Sequence, residues 1–292
     1  MPSRDKAPRP RNLRALVQNE PRCIYCDAEP DSLEHMPPVW AFAARQRPKG
    51  MEYATCKQCN NGTRAADLAA GFMARIRPFD DPDGNLIAEA KQRIDTLDRL
   101  APGLREEVFD LSPYADIDVE RDGQIYKMVR IDANGPILAR LLTTFGAKLG
   151  MALYREHVGE ALPMQGAVLV QPFMNGGLSQ DQGEALLSVL PTAKTLRNGK
   201  REVSDQFAYA FNSDERSVVM ALASLQQNLH FLVLATSDPD TYDNVLSDRF
   251  VARVSPGELL LPRKLSTLRP SSPRRRYVLP GLPQPRQQSP LG

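Results

Sequence analysis

Two C-x2-C pairs constrain this chain more than any other feature. They are Cys23/Cys26 and Cys56/Cys59, and they hold all four of its cysteines. The N-terminus is charged and no apolar run follows it, so no secretory leader is expected. No uninterrupted apolar run reaches the ~18 residues of a membrane span. The sequence therefore predicts a cytoplasmic protein with no membrane segment. In a reducing compartment, matched C-x2-C pairs favour metal over disulfide.

A tetrahedral Zn²⁺ takes four thiolate or imidazole ligands, and each C-x2-C turn offers two sulfurs to one ion. Residues 27–55 separate the pairs, room for a hairpin or loop between two knuckles. Four sulfurs on zinc leave no open coordination position, which makes the expected zinc structural and excludes it as the catalyst.

His35 is the only one of three histidines in this stretch, and it follows Glu34. A neutral imidazole can accept a proton from water near neutral pH. A carboxylate is a hard oxygen ligand suited to Mg²⁺. Neighbours on an extended strand point to opposite sides, so Glu34 and His35 share a site only where the backbone bends or the site wraps an edge.

Cys-x2-Cys, Glu-His-x-x-Pro and Cys-x-x-Cys-Asn together resemble the HNH endonucleases, zinc-stapled members of the ββα-metal nuclease fold. The resemblance covers residues 23 to about 77. It implies Cys23, Cys26, Cys56 and Cys59 on structural zinc. It implies His35 as the general base that activates water. Glu34 and Asn60 would ligate a catalytic Mg²⁺ or Mn²⁺, and the helix from near Gly62 would complete ββα. Hydrolysis of DNA phosphodiester bonds is the implied activity. Two departures stand out. No asparagine lies between His35 and Cys56 to orient the base, which leaves Tyr53, Thr55 or a backbone carbonyl for that task. The lysine common after the last motif residue is Thr63. Slow catalysis is expected from both.

The net charge of +2 is too small to argue nucleic-acid binding by itself. Its distribution says more, because the Arg-rich ends bracket a neutral-to-acidic middle. Contact with a polyanion and two solvated tails both fit that pattern. Arg64 and Arg75, on the expected helix, are candidate phosphate contacts.

The sequence divides into a basic mobile arm (1–21), an HNH-like zinc module (22–78), an α+β domain with a helical linker (79–261) and a Pro/Arg-rich tail expected to be disordered (262–292). Within the third segment, Asp122-Gly123 marks a hairpin over Val119–Ile131. Pro136 to about Glu156 reads as a long helix, and Gly159 and Pro163 close it. Ala167–Phe173 is a strand and Gln180–Val189 a helix. Phe207–Phe211, Ser217–Ala223 and Phe231–Thr236 form an antiparallel meander. His157 reads as a helix-terminal charge, and His230 as structural. The fold class is thus α+β. Two rivals stand beside the nuclease: a non-catalytic zinc module that binds nucleic acid, and a protein-interaction adaptor.

Overall fold

The computed structural model describes residues 15, 17, 20–76, 96–109, 116–121, 123–129, 133, 135–174, 180–198, 201–242 and 252–259. The expected tail, and nearly all of the expected arm, lie outside these residues. Of the arm's described residues 15, 17, 20 and 21, Glu20 is the one held by a side-chain contact. It is buried, and its carboxylate accepts a hydrogen bond from Arg155, so the end of the arm is anchored.

The first cysteine turn leads into strand β1 (Ser32–His35), which pairs antiparallel with β2 (Glu52–Thr55). Helix α1 (Lys57–Gly62) follows at once. Its N-terminus is capped twice: Cys56 Sγ accepts from Cys59 N, and Asp31 Oδ1 accepts from Lys57 N at 2.7 Å. The helix thus begins at Lys57, five residues before the expected start. The chain kinks at Thr63 (φ −104°, ψ 3°) into α2 (Arg64–Arg75). Thr63 gives α2 no side-chain cap; its hydroxyl donates back to the Cys59 carbonyl.

Beyond the short α3 (Leu104–Val108), strands β3 (Asp116–Arg121) and β4 (Gln124–Val129) form the expected hairpin, with Gly123 at φ +75° in its turn. Helix α4 (Pro136–Val158) begins with proline at its first position and ends at Gly159 in the left-handed conformation. Glu107 of α3 caps it, accepting from Ile137 N at 2.9 Å and Leu138 N at 2.7 Å. Its length and hydropathy would suffice to cross a membrane, but in this fold it is a core helix, buried along most of its length.

The main sheet comprises β5 (Ala167–Met174), β6 (Thr192–Thr195), β9 (Phe207–Ser213), β10 (Val218–Leu225), β11 (Leu229–Thr236) and β12 (Ala252–Val254). The order is β12-β5-β11-β10-β9-β6, with every pair antiparallel. Helix α5 (Gln180–Val189) leads into β6, and a small ribbon of β7 (Arg197–Asn198) and β8 (Arg201–Glu202) joins β6 to β9. The expected meander is β9-β10-β11. The edge strands β6 and β12 carried no separate sequence signal. Alternate residues of β10 are buried, the period-2 pattern of a strand covered on one face.

Helix α4 lies between this sheet and α2. Gly146 and Gly150 let it approach the sheet closely, since a Cβ on either would stand 2.4 Å from a valine methyl of β5. Most buried apolar residues, from Cys23 to Leu259, belong to one contiguous cluster that joins the hairpin and α2 to α4 and the sheet.

Candidate metal centre

The four cysteine sulfurs lie within 4.8 Å of one another. Cys26 Sγ is 3.7 Å from Cys56 Sγ and 3.6 Å from Cys59 Sγ. A disulfide bond would be about 2.05 Å. Tetrahedral zinc with Zn–S bonds of about 2.3 Å puts its sulfurs about 3.8 Å apart, so the observed edges fit such an ion. Backbone amides of Tyr25 and Cys59 donate to Cys23 Sγ and Cys56 Sγ at 3.3 and 3.4 Å. The Thr55 hydroxyl is 3.2 Å from Cys23 Sγ. The hydrogen bond with Cys59 pulls the Cys23 thiol down to about 4, whereas burial pushes Cys26 up to about 11. Such a cluster favours a thiolate even with its neighbours protonated. It can hold a metal ion such as zinc, which would displace the remaining protons.

The hairpin sorts the other predicted residues by face. Glu34 stands opposite Tyr53, and His35 opposite Glu52. His35 is half-buried, with Nε2 4.0 Å from Glu52 Oε1. Burial and then the Arg47 guanidinium lower its pKa, against the pull of Glu52, so the ring is neutral at pH 7. Across the strands it is Glu52, and not Tyr53 or Thr55, that faces His35, at ion-pair distance. Tyr53 points the other way and donates to Glu156 Oε2 at 3.2 Å. Thr55 is turned to the cysteines.

Arg47 holds this face together. It donates to the carbonyls of Pro37 and Pro48 at 2.7 Å and of Gly50 at 2.6 Å, and its Nη1 is 3.8 Å from Glu52 Oε1. One side chain thus ties the 36–51 connection and fixes the carboxylate beside His35.

Glu34 differs from its expected role. It points inward and is 3 % exposed. Its Oε2 is 3.4 Å from Lys148 Nζ of α4, and the same ammonium bonds Asp67 of α2 at 2.6 and 2.8 Å. Burial pushes Glu34 up to about 7, against the pull of Lys148. Burial works against the Lys148 charge, but Asp67 and Glu34 outweigh it and hold the ammonium. Burial raises the Asp67 pKa too, against the pull of Lys148; Asp67 holds the amine by two short hydrogen bonds and Glu34 by one longer contact.

Asn60 is half-buried, and its amide nitrogen donates to Ser32 Oγ at 2.7 Å and Leu33 O at 3.2 Å. Glu34 and Asn60 therefore do not fit a catalytic Mg²⁺ or Mn²⁺ as arranged, because the acid is committed to an amine and faces away from His35. Arg75 is not a phosphate contact: it is fully buried and donates to the Gly71 and Trp40 carbonyls at 3.1 and 2.7 Å. Arg64 is exposed.

His157 is not a helix-terminal charge. It stacks on Phe211 at 3.8 Å and is 3.3 Å from the Tyr209 hydroxyl. Burial, then Lys194, lowers its pKa to about 4. His230 stacks on Phe173. The residues that sequence reasoning missed are Arg47, Glu52, Asp67 and Lys148. Asp67 and Lys148 did leave a trace, each as a lone charge in an apolar helical stretch. Glu52 left none, because register is invisible across a long connection.

No protein-family model matches the chain, and no curated protein and no solved structure matches it.

Proposed function

We propose that the chain is a zinc-stabilised, HNH-like protein that hydrolyses phosphodiester bonds of DNA, with His35 as the base. The observation that supports this is the His35–Glu52 pair on a hairpin bound to the four-cysteine cluster. The ring is neutral, partly open to solvent and 4.0 Å from a carboxylate across the strands. Such a ring can take the proton from an attacking water, and the Glu52 carboxylate stabilises the imidazolium that forms. Zinc on Cys23, Cys26, Cys56 and Cys59 fixes the hairpin against α1 and has no chemical part. Arg64, exposed on α2, would supply a phosphate contact.

The second reading is a non-catalytic nucleic-acid-binding module, and the Lys148 contact to Glu34 favours it. Plasmid and single-stranded DNA cleavage, assayed with zinc-loaded protein and with Mg²⁺ or Mn²⁺ added, separates the two. General-base loss costs about 10²–10⁴-fold, so His35→Ala is expected to lose nearly all cleavage while keeping its zinc. Wild type that binds DNA and cleaves none of these substrates leaves the binding module. Cleavage undiminished in His35→Ala puts the active site elsewhere.

A further inference from the structure

The resemblance asks for a divalent ion on Glu34, and the fold brings a different cation there. Lys148 Nζ comes from the middle of α4 and contacts one carboxylate of the hairpin and one of α2. Lys148, Glu34 and Asp67 are 0 %, 3 % and 6 % exposed. A lysine ammonium is a compact point charge with no fixed fork geometry, and so resembles a bound ion more than an arginine would. Two carboxylates face this one charge.

We propose that Lys148 is the resident cation of an acidic pocket formed by Glu34 and Asp67, and that it excludes a divalent ion from that pocket. Glu34 holds the amine more loosely than Asp67 does: its Oε2 is 3.4 Å from Lys148 Nζ, against 2.6 and 2.8 Å for the two Asp67 oxygens. Tyr25 Oη is buried and makes no hydrogen bond among the described residues. The Tyr25 ring centre is 5.7 Å from Lys148 Nζ, and the hydroxyl feels the charges of both Glu34 and Asp67. The two carboxylates are hard oxygen donors, the class that binds Mg²⁺, Mn²⁺ or Ca²⁺. The pocket rests on its own geometry; only its bearing on catalysis rests on the nuclease reading.

The test is Mn²⁺ binding to zinc-loaded full-length protein at neutral pH, followed by electron paramagnetic resonance. Wild type and Glu34→Gln are expected to bind Mn²⁺ alike, because Glu34 is closed to the ion. Lys148→Met removes the competing charge and is expected to gain a site about 10-fold or more tighter than any in wild type. Adding Asp67→Asn to Lys148→Met should abolish that site. Wild-type binding that drops in Glu34→Gln would overturn the proposal without any change at Lys148. So would a Lys148→Met protein that folds and gains no Mn²⁺ site. If Lys148→Met folds only with Mn²⁺ present, the ion has replaced the amine as proposed; if it stays unfolded at saturating Mn²⁺, the proposal fails. DNA cleavage is scored separately on the same proteins. A gained Mn²⁺ site with no cleavage in any of them sinks the nuclease reading and leaves the pocket standing.

Discussion

Burial sets the protonation of individual histidines here, and His157 is the clearest case. Its folded pKa of about 4 lies below the unfolded value of 6.5. Between those values the unfolded chain binds a proton that the folded protein refuses. Stability from neutral His157 is therefore complete above pH 6.5 and is lost as pH falls towards 4. Urea midpoints measured from pH 7 to pH 4 are expected to fall more steeply for wild type than for His157→Gln. Equal slopes would mean that the stacked ring does not resist protonation. The same sign applies to His35, whose pKa is also lowered. Cleavage that depends on it is expected to persist to lower pH than an ordinary histidine of pKa 6.5 would allow, and to fall in more acid solution.

At the scale of elements, α4 carries the design. One face must lie flat on β5, and the other must present Lys148 to α2. Gly150 meets the first demand, because an added Cβ would sit 2.4 Å from Val168 Cγ1. Alanine favours helix over glycine by about 1 kcal/mol, yet overpacking a core costs about 1–3 kcal/mol. The steric term dominates at this distance, so Gly150→Ala is expected to lower stability in urea denaturation. A stabilised variant would show that α4 can lift from the sheet at little cost. The α2 helix is held in a comparable way at its far end. Asn228, in the β10–β11 turn, donates to the Met73 and Ile76 carbonyls at 3.1 and 2.9 Å. A sheet turn thus takes the role of a helix C-cap.

For the whole molecule, the question is whether the cysteine-bound hairpin folds apart from the sheet. Gln226 Nε2 donates to Ala41 O at 2.8 Å, Gln206 Oε1 accepts from Ala43 N at 2.8 Å, and Lys148 enters the hairpin face from α4. These contacts add to a contiguous apolar core. One cooperative transition is therefore expected. Trp40, the sole tryptophan, reports on the hairpin region, and far-UV circular dichroism reports on the sheet and α4. Their unfolding curves should coincide, whereas separate midpoints would mean that the two parts fold independently. Because metal binding to such a cluster is also folding energy, Cys56→Ser is expected to lose its zinc and to melt earlier by both probes. Full metal retention in that variant would rule out the four-sulfur site.

Local patterns carried the elements and the cysteine cluster. Pro136 and Gly159 bound α4, Gly123 marks the β3–β4 turn, and apolar runs parted by turn residues mark β9 to β11. These are preferences of a residue and its near neighbours, so a linear reading can find them. The spacing of Cys23, Cys26, Cys56 and Cys59 belongs to the same class, since each pair is a local turn. Tertiary structure alone decided what each polar side chain meets. Glu34 was legible as an acid before a histidine, but strand alternation turned it inward, onto an amine from over a hundred residues away. Arg75 looked like a surface charge until Trp40 and the α2 carbonyls enclosed it. His35 gained Glu52 as a partner only through strand register. A charge in a sequence has no fixed counter-charge. Burial makes an unpaired charge costly, and the folded chain finds the partner wherever its packing brings one within reach.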